Sequence, residues 1–144
     1  MQTFIVELAN RPGELARVAE TIATRGVNVE AFCLSYGTKG AAAFLAHDEN
    51  AVRTALDTGG FTYREVPFLT IWLEDKPGQV AWAAKQLGDA GVNIEFFAPV
   101  EYGTNHKATI AIGVDNVEIA RRALADHLTD WTIPEKALAG TMSR

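Results

Sequence analysis

Two loops of this sequence combine residues that are able to hold a small anion. Asn10–Gly13 and Asp75–Gly78 each place a Pro-Gly pair just ahead of a stretch with helical periodicity. Free backbone N–H groups and the helix dipole attract a carboxylate or a phosphate to a helix N-terminus. A glycine there lets a ligand approach the backbone, although a tight turn that needs glycine's dihedral angles is the alternative explanation. The proline suits the first helical turn, and Asn10 and Asp75 are the predicted N-caps.

Other residues that could do chemistry show no comparable pattern. Glu30 and Glu95 recur at matching positions. Solvated or ion-paired strand residues, or a second acceptor for an ammonium group, explain them better than acid–base catalysis or metal binding. Cys33 is expected to be a buried structural thiol. No spacing typical of metal ligands relates the three histidines, which are His47, His106 and His127. Because nucleophile–base motifs, phosphate loops and dinucleotide fingerprints are also missing, the sequence predicts no catalytic residue, no metal site and no cofactor.

The composition narrows the class of protein. The 144 residues include 13 basic and 18 acidic side chains, and the net charge of -5 argues against binding to a nucleic-acid backbone. The single cysteine forbids an intrachain disulfide, as suits a reducing compartment. No apolar run approaches the ~18 residues that cross a bilayer. We therefore expect a soluble, cytoplasmic protein without a nucleic-acid or membrane partner.

The strongest signal in the sequence is an internal repeat. Residues 10–32 align without gaps to residues 75–97, and nine of the 23 positions are identical. Tyr36-Gly37-Thr38 then returns as Tyr102-Gly103-Thr104 after one inserted residue. Matches in this order indicate a duplicated unit of about 65 residues.

Each copy carries the same succession of periodicities. Alternating apolar residues predict strands, and apolar residues at i, i+3, i+4 and i+7 predict helices. The predicted helix faces are Leu15, Val18, Ala19 and Ile22 in the first copy, and Val80, Ala83, Ala84 and Leu87 in the second. The predicted strands are Thr3–Leu8, Val27–Tyr36, Ala41–Ala46, Phe61–Val66, Phe68–Glu74, Val92–Tyr102, Ala108–Val114 and Thr129–Ile133. Two short helices with asparagine N-caps complete the set, at Asn50–Asp57 and Asn116–Leu128.

The order β-α-β-β-α-β, written twice, predicts an α+β protein with two ferredoxin-like domains, each an antiparallel sheet with both helices on one face. The predicted domains are residues 1–66 and 67–134, with Pro67 at the join, and residues 135–144 form a tail without a clear element. Gly26 and Gly91 follow the first helix of each copy, where a left-handed residue is favoured.

The face of each sheet that carries no helix is expected to be apolar. By the period-two rule Phe32, Leu34, Tyr36, Trp72 and Phe97 point away from the helices. Trp82 also lies off the predicted core stripe of its helix. Scattered surface aromatics are one explanation. Contact with the sister domain or with another chain is the explanation we favour, because several such residues occur together.

With these motifs the sequence resembles the ACT domain, a small regulatory module of amino-acid metabolism. The resemblance rests on Asn/Asp-x-Pro-Gly-x-Leu/Val, a helix, and then Gly-Val-Asn-Val/Ile-Glu, and it covers both copies from Thr3 to about Ile133. The whole chain resembles a stand-alone tandem ACT protein. This resemblance implies domains that pair edge to edge through their second strands into one eight-stranded sheet. It also implies an allosteric amino-acid sensor, not an enzyme, that acts on a partner protein or through homodimer formation.

The resemblance also implies where the amino acid would bind. In this family the effector lies between the first strand-to-helix loop of one domain and the Gly-Val-Asn segment of its neighbour. One implied site consists of Asn10, Arg11, Pro12, Gly13, Glu14 and Asn93, and the other of Asp75, Lys76, Pro77, Gly78, Gln79 and Asn28, with Leu15 and Val80 as apolar walls. Because Asp75 is charged and Asn10 is not, the second site is expected to suit the ammonium of a zwitterion better.

Two rival hypotheses remain at this point. The chain could be a structural or interaction module whose effector sites are vestigial. It could also be a small enzyme, because ferredoxin-like folds host several chemistries.

Overall fold

A computed structural model describes residues 1–133 of the chain. These residues form an α+β structure with four α-helices, six strands and antiparallel strand pairing. In chain order the elements are β1 (Gln2–Ala9), α1 (Glu14–Ala23), β2 (Val29–Tyr36), β3 (Lys39–Ala46), α2 (Glu49–Thr58), β4 (Tyr63–Glu74), α3 (Gln79–Asp89), β5 (Ile94–Tyr102), β6 (Lys107–Val114) and α4 (Val117–Ala123), followed by a 3-10 helix (Ala125–His127).

These elements belong to two compact units. We call Thr3–Glu65 the N-terminal unit and Val66–Trp131 the C-terminal unit, with which Met1–Gln2 also groups. Pro67 lies inside β4, a single twelve-residue strand that runs from one unit into the other, where the sequence predicted two strands separated by a join. The predicted domain ranges stay predictions, and the predicted tail at residues 135–144 lies outside the described residues.

In the N-terminal unit β3 lies between β2 and β1, with Phe4 opposite Phe44 and Phe32 opposite Ala43. Phe4, Val6 and Phe44 are fully buried beneath α1 and α2. The predicted alternation of β1 is therefore confirmed, and both helices cover one face of this sheet. Removing these three side chains from water supplies roughly 1.5–3 kcal/mol each.

In the C-terminal unit β6 lies between β4 and β5, and α3 and α4 cover the face that carries Leu69, Ile71 and Ile112. The predicted last strand, Thr129–Ile133, does not form, and an isolated bridge joins Ile71 to Leu128 just before it. The predicted helix Asn116–Leu128 is shorter, since α4 ends at Ala123. The order and pairing in both units are compatible with the ferredoxin-like fold. The joined eight-stranded sheet stays a prediction.

The apolar stripes of α1 and α3 differ from the predicted ones at their first position. Val18 and Ile22, and likewise Ala83 and Leu87, are buried as expected. Leu15 and Val80, in contrast, are 40% and 58% exposed. Each lies in the first turn of its helix, beyond the end of the core. The prediction that they belong to the core faces was wrong.

Two other predictions about the helices had different outcomes. Asn116 caps α4 as predicted, since its side chain accepts a hydrogen bond from the Ile119 N–H at 3.1 Å. The predicted cap Asn50 lies within α2, which begins earlier because Asp48 accepts from the Ala51 N–H at 3.0 Å. Gly26 and Gly91 adopt positive φ angles of 70° and 74°, which confirms the predicted left-handed residues after α1 and α3.

A bulge in β5 reverses one predicted orientation. Ile94 lies opposite Val114 and Phe97 lies opposite Ile112, with an irregularity between Ile94 and Phe96. An extra residue on one strand turns the following side chains to the other face. Phe97 therefore packs against the core under the helices, and its predicted place on the open face was wrong.

Candidate functional site

The loop between β1 and α1 adopts a conformation that requires glycine. Gly13, which caps α1, has φ 88°, and Gly78, which caps α3, has φ 91°. A left-handed backbone of this kind disfavours any residue with a Cβ atom. No atom lies within 4 Å of the place where a Cβ would stand at either glycine. The backbone conformation therefore explains both glycines, which is the alternative that the sequence left open.

Asn10 fastens this loop to the β2–β3 hairpin. Its Nδ2 group donates to the Gly37 carbonyl at 2.8 Å, and its backbone N–H donates to the Thr38 carbonyl at 3.0 Å. The N-caps of α1 and α3 are Gly13 and Gly78, which have no side chain to accept a hydrogen bond from the helix. The predicted N-cap roles of Asn10 and Asp75 were therefore wrong. With the Nδ2 group engaged, the Asn10 side-chain oxygen is the atom available to a ligand.

Glu14 holds two arginines at the start of α1. The Arg11 Nε–H donates to one carboxylate oxygen at 2.5 Å, and an Arg17 terminal N–H donates to the other at 3.0 Å. The hydrogen bond from Arg17, followed by that from Arg11, keeps the pKa of the Glu14 carboxyl below its usual value. Both oxygens of Glu14 are thus occupied, while the terminal N–H groups of Arg11 remain for a ligand.

A cavity of about 170 Å³ lies beside this loop. Of the predicted site residues it brings together Asn10, Arg11, Glu14 and Leu15. Its complete lining is Leu8, Ala9, Asn10, Arg11, Glu14, Leu15, Cys33, Ser35, Gly40 and Ala41. Pro12 and Gly13 shape the loop but do not line the cavity. A space of this size is smaller than the roughly 300–1,000 Å³ of drug-sized ligand pockets, so it suits a small metabolite.

The sequence did not identify two residues of this lining. Cys33 and Ser35 lie opposite Ala42 and Gly40, on the sheet face that carries the core. Cys33 is exposed, so the prediction of a buried thiol was wrong. The core stops short of this end of β2, and the cavity takes its place. The period-two pattern of β2, extended past Val29 toward the hairpin, was the signal that could have indicated both residues.

The corresponding loop of the C-terminal unit has a different set of contacts. The Asp75 N–H donates to the His106 carbonyl at 2.7 Å, and Lys76 pairs with Glu74 at 2.9 Å. The hydrogen bond from Lys76 lowers the pKa of the Glu74 carboxyl. Gln79 stands where the first loop has Glu14, so no carboxylate gathers cations at the start of α3.

Asn28 and Asn93 are both exposed at the starts of their repeated segments. The Asn93 N–H donates to Asp115 at 2.9 Å. Their predicted contacts with a ligand stay predictions.

Trp82 has a place inside its own unit. It is partly buried against the core of the C-terminal unit, and its ring lies 4.4 Å from that of His127. Trp72 stacks on the same imidazole at 4.2 Å, and the Lys107 ammonium lies 4.1 Å from the Trp72 ring. The Trp82 indole therefore has an internal partner, which neither alternative from the sequence anticipated. Cation–π attraction of this kind contributes about 0.5–2 kcal/mol.

Within residues 1–133, no group of three His, Cys, Asp or Glu side chains has a geometry that could hold a metal ion. The helices of this part of the chain are too short or too polar to cross a membrane.

Comparison with known proteins establishes the fold. No protein-family model matches the chain, and neither does any curated protein. Protein BT0572 from Bacteroides thetaiotaomicron is 21% identical, with a TM-score of 0.70 over 87% of this chain and 86% of that one. The ligand-free regulatory subunit of aspartate kinase from Thermus thermophilus is 20% identical, with a TM-score of 0.61 over 89% and 91%. The corresponding subunit from Thermus flavus is 21% identical, with a TM-score of 0.60 over 87% and 90%.

Proposed function

We propose that this protein is a non-catalytic regulatory module that binds a free amino acid at the loop between β1 and α1. The observation that carries the proposal is the 170 Å³ cavity, which joins polar groups of Asn10, Arg11 and Ser35 to the apolar side chains of Leu8 and Leu15. Solved structures with this fold include regulatory subunits of aspartate kinase. They support a tandem ACT protein and a regulatory role over a catalytic one.

The chemistry of the cavity matches the two ends of an α-amino acid. The carboxylate would accept from the terminal N–H groups of Arg11, a geometry in which guanidinium forms paired hydrogen bonds. The Leu15 N–H adds a further donor, because the first N–H groups of a helix have no intrahelical acceptor. The ammonium would donate to the Asn10 side-chain oxygen, and the ligand side chain would lie against Leu8.

The output of binding would be a change in association with a partner protein or with a second copy of this chain. In the N-terminal sheet β2 pairs with β3 along one side, and its Leu34 and Tyr36 are 79% and 92% exposed. Unpaired strand edges that carry apolar side chains favour pairing with another chain. Regulation requires that the ligand binds one association state more tightly than the other.

Calorimetry and thermal denaturation against each of the twenty proteinogenic L-amino acids test the proposal. We expect one or a few to bind, and a ligand at 100 times its Kd to stabilise the protein by about 2.7 kcal/mol. Ser35→Leu should fill the cavity and abolish binding. Glu20→Gln, at an exposed position of α1 that does not line the cavity, should leave binding unchanged.

Two outcomes would contradict this assignment. Absence of binding by every amino acid would favour the alternative of a pure interaction module that uses the exposed Leu34 and Tyr36. Binding that survives Ser35→Leu but is lost in Asp75→Ala would move the site to the second loop, where the charge of Asp75 predicts a zwitterion.

A further inference from the structure

A second and larger cavity lies on the N-terminal unit. Its volume is about 510 Å³, and its lining is Glu7, Leu8, Ala9, Lys39, Gly40 and Thr62. A volume of this size falls within the range of small-molecule pockets, roughly 300–1,000 Å³. We propose that this cavity is a separate binding site for a compound that carries both a carboxylate and an ammonium group.

The charged lining supplies one group for each end of such a compound. In the register of β1 and β3, Ala41 lies opposite Glu7 and Lys39 lies opposite Ala9. Glu7 and Lys39 are therefore diagonal neighbours on one face, with Cβ atoms about 7–8 Å apart. Both side chains are exposed, and neither forms an ion pair within residues 1–133. A zwitterion that spans the gap would complement both charges.

The backbone adds a directed donor. The Asn10 N–H donates toward β3, to Thr38, whereas the Glu7 N–H donates in the opposite direction, to Thr62 at 2.9 Å. Backbone direction alternates along a strand, so the Ala9 N–H points the same way as that of Glu7. The Ala9 carbonyl is already engaged by the Arg11 N–H at 3.0 Å. Ala9 follows Glu7 on this edge and lines the cavity, so its N–H is the backbone donor that we assign to the ligand.

This arrangement defines the class of ligand. A carboxylate would accept from the Ala9 N–H and the Lys39 ammonium, while an ammonium would donate to Glu7. A compound with only one charged group would pair with either Glu7 or Lys39 and leave the other side chain without an opposite charge. Leu8, Ala9 and Gly40 line both cavities. Glu7, Lys39 and Thr62 line only this one, so they distinguish it from the site beside Ser35.

Amide NMR with each of the twenty L-amino acids tests the proposal, because chemical shifts separate the two sites. We expect at least one amino acid to shift the signals of Glu7, Lys39 and Thr62. Its amide, which lacks the carboxylate, and its N-acetyl derivative, which lacks the ammonium, should each bind about tenfold more weakly. Glu7→Gln and Lys39→Met should produce similar losses, whereas the exposed control Glu20→Gln should produce none.

The outcomes distinguish this proposal from the proposed function. Shifts confined to Leu15, Cys33 and Ser35 would overturn the second site and leave the first intact. Shifts at Glu7 and Thr62 that persist in Ser35→Leu would support the second site even if the first fails. Full binding by the amide or by the N-acetyl derivative would overturn the zwitterion assignment. Equal melting temperatures of the variants would show that the losses are not caused by unfolding.

Discussion

The loop from Asn10 to Gly13 and the loop from Asp75 to Gly78 have the same backbone geometry and different electrostatics. Both end in a left-handed glycine, with φ 88° in one and 91° in the other. In the first, buried Glu14 gathers two arginines beside a cavity. In the second, Lys76 pairs with exposed Glu74, and Gln79 replaces the glutamate. The two loops thus share the residues that set the chain path, while the residues that would meet a ligand differ.

The largest expected difference between the two copies lies at Gly113. It occupies the position after Ile112 on β6, where the N-terminal unit has Leu45 on β3. A Cβ at Gly113 would stand 2.2 Å from carbons of the Phe96 ring, so we expect Gly113→Ala to destabilise the protein by about 2 kcal/mol. Urea unfolding measures the loss. Gly88→Ala, at an exposed position in α3 with no atom within 4 Å, should instead gain up to about 1 kcal/mol. An unchanged midpoint for Gly113→Ala would show that Phe96 moves aside freely.

The next test addresses what the two loops share. Gly13→Ala and Gly78→Ala each force a side chain into the left-handed region, at a cost of about 1–2 kcal/mol. Because the surroundings are open at both positions, the two losses in unfolding free energy should agree within about 0.5 kcal/mol. A clearly larger loss at Gly13 would mean that its loop carries additional strain, and the equivalence of the two loops would fail.

The smallest expected effect concerns Glu14 and its two arginines, the charge cluster that distinguishes the first loop from the second. Since the pKa of Glu14 is lower in the folded protein, its contribution is complete above its ordinary pKa and is lost as the pH falls through the folded value. Glu14→Gln should therefore lower the melting temperature at pH 7 and show a weaker decline toward pH 3 than the unmodified protein. Gln79→Glu is the matched change in the other loop. It should not raise the melting temperature, because Lys76 and Trp82 stand where the first loop has Arg11 and Arg17. If Gln79→Glu stabilised the protein as much as Glu14→Gln destabilises it, the two loops would not differ in their electrostatics as we infer.

Local patterns predicted the repeat, the order of elements and the left-handed Gly26 and Gly91, because short-range periodicity and glycine conformation decide these features. They did not predict that β4 continues through Pro67. Strand ends depend on pairing partners that are distant in sequence. The orientation of Phe97 was missed for a related reason, since the irregularity in β5 between Ile94 and Phe96 reverses the side chains that follow it, up to a second irregularity after Pro99.

The candidate site was predicted in part. Asn10, Arg11, Glu14 and Leu15 line the cavity, because the strand-to-helix loop that contains them is continuous in sequence. Cys33 and Ser35 come from a neighbouring strand, and their place depends on how far α1 extends over the sheet. The second cavity was not predicted, because it depends on the pairing of β1 with Thr62, which is distant from β1 in sequence.

The tryptophan residues are confined to one of the two units, so tryptophan fluorescence reports on that unit. Trp72, Trp82 and Trp131 all belong to Val66–Trp131, and the N-terminal unit contains none. Indole emission therefore follows events in the C-terminal unit, where two of the three rings contact the His127 imidazole. Both cavities lie in the unit without an indole. Any change of emission on adding a metabolite would consequently originate in the C-terminal unit.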